Sequence, residues 1–324
     1  VEPNEDAGRQ AYRQAHEEAF AAFKGRAREV WQEPELTDAR KWAEYRDDFT
    51  VQRVVDFGGN EIRIKVAGTP EGDTEARVRA ELEDLLLEDF ATAFRRDPVS
   101  RHVEGALDGV KGVGVARSRP SGRPILGELF RSEPSPGDAR RKAGELLEGA
   151  SRSREPLAGG GNRQWAAVIS VPLPEDRPHR KAREFLPLVR EQARKREVAD
   201  SLVLAVIHTE SAFNPMARSH VPAFGLMQIV PGSGGRDASR ALFGEPRILA
   251  PSYLYDAANN IEVGTTYLHL LYHEYMSAVS DTESRLYCAI AAYNTGPGNV
   301  ARTFIEESDM EAAAQVVNRQ EGSQ

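Results

Sequence analysis

The chain has 324 residues, a formal net charge of −8, and 40% hydrophobic against 28% charged residues. That balance supports a packed core and length for two ordinary domains, and it argues against a general nucleic-acid binder, which presents a basic face. No apolar run reaches membrane-spanning length and no signal peptide is legible; the lone cysteine, Cys288, excludes an internal disulfide and a cysteine zinc cluster.

Residues 5–30 are rich in Ala, Arg and Glu, with Phe20, Phe23 and Val30 spaced for one face of a helix. Two β-prone runs follow, 50–56 and 61–66, and Gly58-Gly59-Asn60 between them predicts a hairpin turn that uses positive φ. Ile62, Ile64 and Val66 alternate with charged residues, the pattern of a strand with one packed face. Val78, Leu82, Leu85, Leu86 and Phe90 predict an amphipathic helix over 74–94. Residues 107–162 read as a looser stretch, with a short helix near 138–149 and a flexible Gly159-Gly160-Gly161. Trp165–Val171 predicts a strand that returns to the first sheet. Pro172, Pro174 and Pro178 then stop regular structure, and the domain boundary falls there, giving 1–176 and 177–324.

Beyond that boundary the pattern is helical. One helix covers 179–196, with Pro187 as a kink. The next starts on Asp200 or Ser201 as N-cap and runs to Phe213. A third begins near Asp256, read as its cap, and carries Ile261, Gly264, Leu268, Leu271 and Tyr275, with Tyr275 expected in the core and Glu262 on the surface. A fourth covers 282–293 and buries Cys288. His269 and His273 stand one turn apart, but no third ligand is evident and the pair reads as a polar helix face rather than a metal site. The fold class is α+β: an N-terminal α+β domain, then an all-α domain.

Leu202-Val203-Leu204-Ala205-Val206-Ile207 is apolar nearly all round, which predicts a central helix. Leu202, Val206, Glu210 and Phe213 share one stripe of it. A surface glutamate is the commoner state by residue type. Here burial and the negative end of the helix dipole would both disfavour the charged form, which keeps a general acid protonated.

Three motifs accompany Glu210: Glu210-Ser211-x-Phe213-x-Pro215-x-Ala217-x-Ser219, Gly225-Leu226-Met227-Gln228, and Ala292-Tyr293-Asn294-x-Gly296-x-Gly298. Together with Asn260-Ile261-x-x-Gly264-x-x-Tyr267-Leu268 they resemble the soluble-lytic-transglycosylase family, which has a goose-type lysozyme fold. Trp31, Tyr45 and the hairpin ending in Ala67-Gly68-Thr69 resemble the N-terminal region of the membrane-bound lytic murein transglycosylase C group. The resemblance implies an all-α lysozyme-like catalytic domain that needs no cofactor. It implies cleavage of the bond between N-acetylmuramic acid and N-acetylglucosamine in peptidoglycan, with a 1,6-anhydro product and Glu210 as the single acid and base. The same residues leave open a muramidase of this fold, or a non-catalytic glycan-binding or scaffold module.

By the same resemblance Ser219 contacts the acid or the substrate, with Ser211 as the alternative. Gln228 binds polar groups of the sugar and Met227 lines the groove wall. Tyr293 brings its hydroxyl near Glu210 or the N-acetyl group, Asn294 orients the loop, and Gly225, Gly296 and Gly298 allow close backbone approach or tight turns. The implied setting is the periplasm, with an outer-membrane lipid anchor upstream of Val1 and protein partners met through the N-terminal domain. Val230, Ser233 and Asp256-Ala257 depart from the family pattern, and no acidic-Thr/Ser-Arg-x-x-Tyr motif follows before Gln324.

Overall fold

The computed structural model describes residues 3–68, 71–158 and 165–321. Helix α1 (Pro3–Val30) leads into strands β1 (Lys41–Arg46), β2 (Val51–Asp56) and β3 (Glu61–Ala67). The predicted hairpin is thus two strands of a three-strand meander, in which β1 pairs antiparallel with β2, Lys41 opposite Asp56. Asp47, Asp48 and Phe49 between β1 and β2 all take left-handed φ, at 48°, 51° and 68°; aspartate is enriched in that conformation, whereas phenylalanine is not. In the β2–β3 turn the positive φ belongs to Asn60 (56°) and not to the glycines; Gly58 and Gly59 instead lie against the side chains of Arg40 and Asp56.

The helix predicted over 74–94 is broken into α2 (Glu71–Leu87) and α3 (Phe90–Arg96). Asp89 caps the second piece by accepting the Thr92 amide at 2.6 Å, while Glu88 turns inward to buried Arg53 at 3.0 Å. Asp97 starts α4 (Pro98–Ala106) by accepting the Val99 amide. The stretch read as loose contains β4 (Gly114–Ala116), α5 (Pro136–Glu148) and β5 (Ser151–Pro156). A Ser135–Asp138 capping box fixes the start of α5; Gly159–Gly161 lie outside the described residues. Strand β6 (Trp165–Pro172) returns to the sheet, whose order is β1-β2-β3-β6-β5. The buried residues of α2 share a core with Ile62 and Ile64 of the sheet.

The remainder is mainly helical: α6 (Arg177–Lys195), α7 (Asp200–Ser211), α8 (Gly234–Phe243), the short strand β7 (Arg247–Leu249), α9 (Pro251–Leu254), α10 (Ala257–His269), α11 (Thr282–Thr295), α12 (Pro297–Phe304) and α13 (Met310–Glu321). Pro187 sits inside α6. Ala199, not Asp200 or Ser201, occupies the N-cap of α7, and the helix stops at Ser211 because Ala212 and Phe213 turn left-handed. Burial of α7 is one-sided: Val203 and Ile207 are enclosed, whereas Ala205 is exposed. A π-helical turn, Leu270–Tyr275, extends α10. Its wider turn rotates the following face, and Tyr275, expected in the core, is 39% exposed with its hydroxyl donating to Asp237 at 3.1 Å. His269 and His273 each hydrogen-bond a backbone carbonyl, of Arg196 and Glu197.

Contacts cross the expected boundary at several points. β4 and β7 pair in parallel, Tyr12 of α1 packs edge-on against Phe224, and Asp97 pairs with Arg218. These contacts place α1, the start of α4 and β4 against the segments that follow α7.

Candidate active site

Glu210 occupies the last turn of α7, half-buried. Burial pushes its carboxyl above the ordinary glutamate range, the direction a proton donor requires. It opens into a cleft of about 910 Å³ whose near wall includes Thr209, Ser219 and His220. The far wall comes from the N-terminal part: Lys24 and Arg28 of α1, the 32–41 segment, and the β2–β3 turn at Gly58 and Gly59.

That far wall is fastened to the end of α7. Arg40 donates to the Thr209 carbonyl at 3.1 Å, satisfying one of the carbonyls that a helix leaves free in its last turn. Asn214 donates to the Ala39 carbonyl at 3.3 Å, and the Arg218 amide donates to the Asp38 carbonyl at 3.2 Å. The cleft also holds carboxylates that the motifs do not reveal, Glu33, Asp38 and Asp56. Asp38 accepts the amides of Arg40 and Lys41, both at 2.7 Å, and Asp56 accepts the Gly59 amide at 2.7 Å.

Of the other motif residues, Ser219 lines the cleft, whereas Ser211, Gly225 and Met227 are buried. Ser211 has no exposure; its hydroxyl lies 2.9 Å from the Ile207 carbonyl and 2.8 Å from the Leu226 carbonyl. It ties α7 to the Gly225–Gln228 loop and presents no surface to a sugar, which corrects the binding role expected of it. Met227, expected on the groove wall, is also fully buried. Its side chain packs so closely on α10 that a Cβ at Gly264 would stand 2.3 Å from the sulfur. The Met227 carbonyl accepts from the Tyr293 hydroxyl at 2.7 Å, and its amide donates to Asn260 Oδ1 at 2.8 Å.

Gly225 has φ +73°, and a Cβ there would meet Asn260 Nδ2 at 2.3 Å and the Leu254 carbonyl at 2.4 Å; close packing on α10 requires this glycine. Gln228 is left-handed (φ 47°) and donates to the Gly225 carbonyl at 3.1 Å. Tyr293 is close enough for the Glu210 charge to act on it, although burial is the larger reason its hydroxyl holds its proton. Asn294 is exposed at the end of α11 and donates weakly to the Ile290 carbonyl at 3.4 Å.

Sequence reasoning placed Asn260 in a matching block but gave it no task. Fully buried, it donates to the Phe224 and Leu254 carbonyls at 2.9 and 2.8 Å while accepting from Met227. Its place in the matching block, Asn260-Ile261-x-x-Gly264, was the available signal. Arg40 and the far wall had none, because their partners lie far along the chain.

Residues 187–316 match the Transglycosylase SLT domain family. Membrane-bound lytic murein transglycosylase C of Klebsiella pneumoniae is 32% identical over 285 residues, covering 87% of this chain and 73% of the relative. The protein of that name from Mannheimia succiniciproducens is 39% identical over 182 residues, covering 56% and 49%. Among solved structures, lytic transglycosylase Slt of Pseudomonas aeruginosa has 29% identity and a TM-score of 0.31, covering 41% of this chain and 21% of that one.

Proposed function

The chain belongs to the family of membrane-bound lytic murein transglycosylase C and is a peptidoglycan lytic transglycosylase; from that premise we propose that Glu210 alone serves as its acid and base. Protonated, Glu210 donates to the oxygen between N-acetylmuramic acid and N-acetylglucosamine. The muramic N-acetyl group stabilises the positive charge that develops at the anomeric carbon. The Glu210 carboxylate then accepts the proton of the same sugar's primary hydroxyl, whose oxygen closes the 1,6-anhydro ring without water. The carrying observation is the half-buried Glu210 carboxyl, raised by burial, opening into the cleft.

Ser219, on the cleft wall, contacts the bound sugar in this reading. Tyr293, Gly225, Met227 and Ser211 act from behind, fixing the loop that faces Glu210. Gln228 and Asn294 flank the loop and the end of α11, within reach of substrate polar groups. Residues 1–176 and 177–324 are best regarded as two parts that share the cleft, with peptidoglycan glycan strands lying between them. The relatives' name, membrane-bound, supports a periplasmic position at the outer membrane; among the described residues no helix is long and apolar enough to cross a membrane.

Digestion of purified sacculi followed by mass spectrometry tests the reading. Anhydro-muropeptides are expected, and Glu210→Gln should lower turnover roughly a hundred- to ten-thousand-fold, the range for a lost general acid. Reducing sugars as the sole products would instead make the protein a muramidase.

A further inference from the structure

A second hollow, of about 950 Å³, lies at the start of α6 and is lined by Arg123, Arg131, Arg180 and Arg183. Four guanidinium groups around one recess stand out in a chain of net charge −8. One carboxylate, Glu133, also lines the recess, and the others nearby are already engaged. Buried Glu128 on the floor lies between Arg177 (3.3 Å) and Lys181 (3.1 Å), Glu184 is held by Lys181 at 3.0 Å, and Asp176 pairs with Arg180 at 2.7 Å. Arg123, Arg131 and Arg183 form no ion pair among the described residues, which leaves their donors directed to solvent or a ligand.

The recess is a built structure. The Arg123 carbonyl accepts the Phe90 amide at 3.2 Å, the Ile125 amide donates to the Glu88 carbonyl at 2.9 Å, and Lys181 donates to the Ile125 carbonyl at 3.1 Å. A hydrogen-bonded chain through Arg177 links it to the lining of the Glu210 cleft. Gly58 and Gly59 line that cleft. On either side of them in sequence, the Phe57 carbonyl and Asn60 Oδ1 accept from Arg177, which reaches Glu128 on the floor of the second hollow.

We propose that this arginine-lined hollow binds the carboxylates of the short acidic peptides borne by the muramic residues of a glycan strand held in the Glu210 cleft. The inference rests on the peptidoglycan reading above. Guanidinium groups suit it because their planar pairs of N–H donors match a carboxylate and remain charged at any working pH. The site would hold peptide-bearing strands by groups remote from the bond that breaks, so it governs affinity and leaves the chemical step alone.

The test compares the full chain with Arg123→Ala/Arg183→Ala on two substrates, intact sacculi and glycan strands stripped of peptides by an amidase. Both arginines are exposed, and unchanged thermal unfolding should confirm the fold. KM for peptide-bearing strands is expected to rise on the order of tenfold, the loss of about 1.4 kcal/mol of charge-assisted bonding, with kcat unchanged and stripped strands cut equally by both proteins. Equal loss on both substrates, or no loss on either, overturns the proposal. Titration of Glu210→Gln protein with soluble L-Ala-D-Glu-diaminopimelate peptide reads the hollow without turnover. Binding that disappears in the Arg123/Arg183 variant supports the site even if the lyase reading fails. Absence of binding, or equal binding to peptide-free anionic vesicles, rejects it.

Discussion

Asp97, at the start of α4, closes on Arg218, seven residues beyond Ser211, in an ion pair where the arginine is 2% exposed. The pair joins the N-terminal part to the loop that carries Ser219. Burial alone pushes the Asp97 carboxyl upward, but Arg218 beside it and the bonds from Ser100 bring it below the ordinary aspartate range. Because the folded-state value is depressed, the unfolded chain binds the extra proton. The pair's contribution is therefore complete above the unfolded value of about 3.9 and is lost as pH falls below it. Asp97→Asn should destabilise the protein by about 3–5 kcal/mol in urea unfolding at neutral pH, because it strands a buried charge. Asp97→Leu with Arg218→Met should recover most of that loss. A single variant as stable as the parent would show that the pair contributes little.

Glu210 works in the opposite direction. Its folded-state value is raised by burial, so the folded protein holds the proton longer and stability falls as pH rises from the unfolded value toward the folded one. Glu210→Gln, which cannot ionise, should melt higher than the parent at neutral pH, and the gain should vanish near pH 4. Melting curves at the two pH values measure it; equal stability at both would show a carboxyl that ionises normally.

Asn260→Ala removes one acceptor and two donors that serve three buried backbone groups, the Met227 amide and the Phe224 and Leu254 carbonyls. The Phe224 carbonyl still accepts from the Ile229 amide, so the Met227 amide and the Leu254 carbonyl are the groups left unsatisfied, at about 1–3 kcal/mol each, and a loss of roughly 2–6 kcal/mol is expected. Turnover measured well below the new melting temperature should also fall, because the Gly225–Gln228 loop would lose its tie to α10.

His16 of α1 is fully buried, and neither ring nitrogen has a hydrogen-bond partner among the described residues. Burial, helped by nearby Arg218, lowers its pKa to about 4. The unfolded chain takes up this proton first, so stability conferred by the neutral ring is lost as pH falls from about 6.5 toward 4. His16→Phe should flatten the stability profile across that window. An unchanged slope in acid denaturation would assign it to other groups.

Much of the local structure was legible. Alternation in Ile62, Ile64 and Val66 marked β3, and the short helix expected near 138–149 is α5, which starts two residues earlier on the Ser135 cap. Glu210 was legible through its apolar approach and the motifs around it. What a motif does not disclose is which of its members faces outward. Ser211 and Met227 look like sugar contacts in sequence, yet one crosslinks two backbones and the other fills the space left by Gly264. The break at Asp89 was missed because the apolar period continues through Phe90 while the cap competes with it. Tyr275 was misplaced because a π turn changes helical phase without any residue type that signals it. The far wall of the cleft depends on contacts such as Arg40 to Thr209, 169 positions apart, and no local pattern encodes those.

That separation also orders events during synthesis. A chain leaving the ribosome exposes the Arg40 side of the chamber while the Thr209 side, 169 positions on, is still unmade. At ordinary elongation speeds the interval is roughly ten to thirty seconds. During that time a wall-cutting enzyme exists only as half a jaw, and its tooth, Glu210, arrives one residue after Thr209.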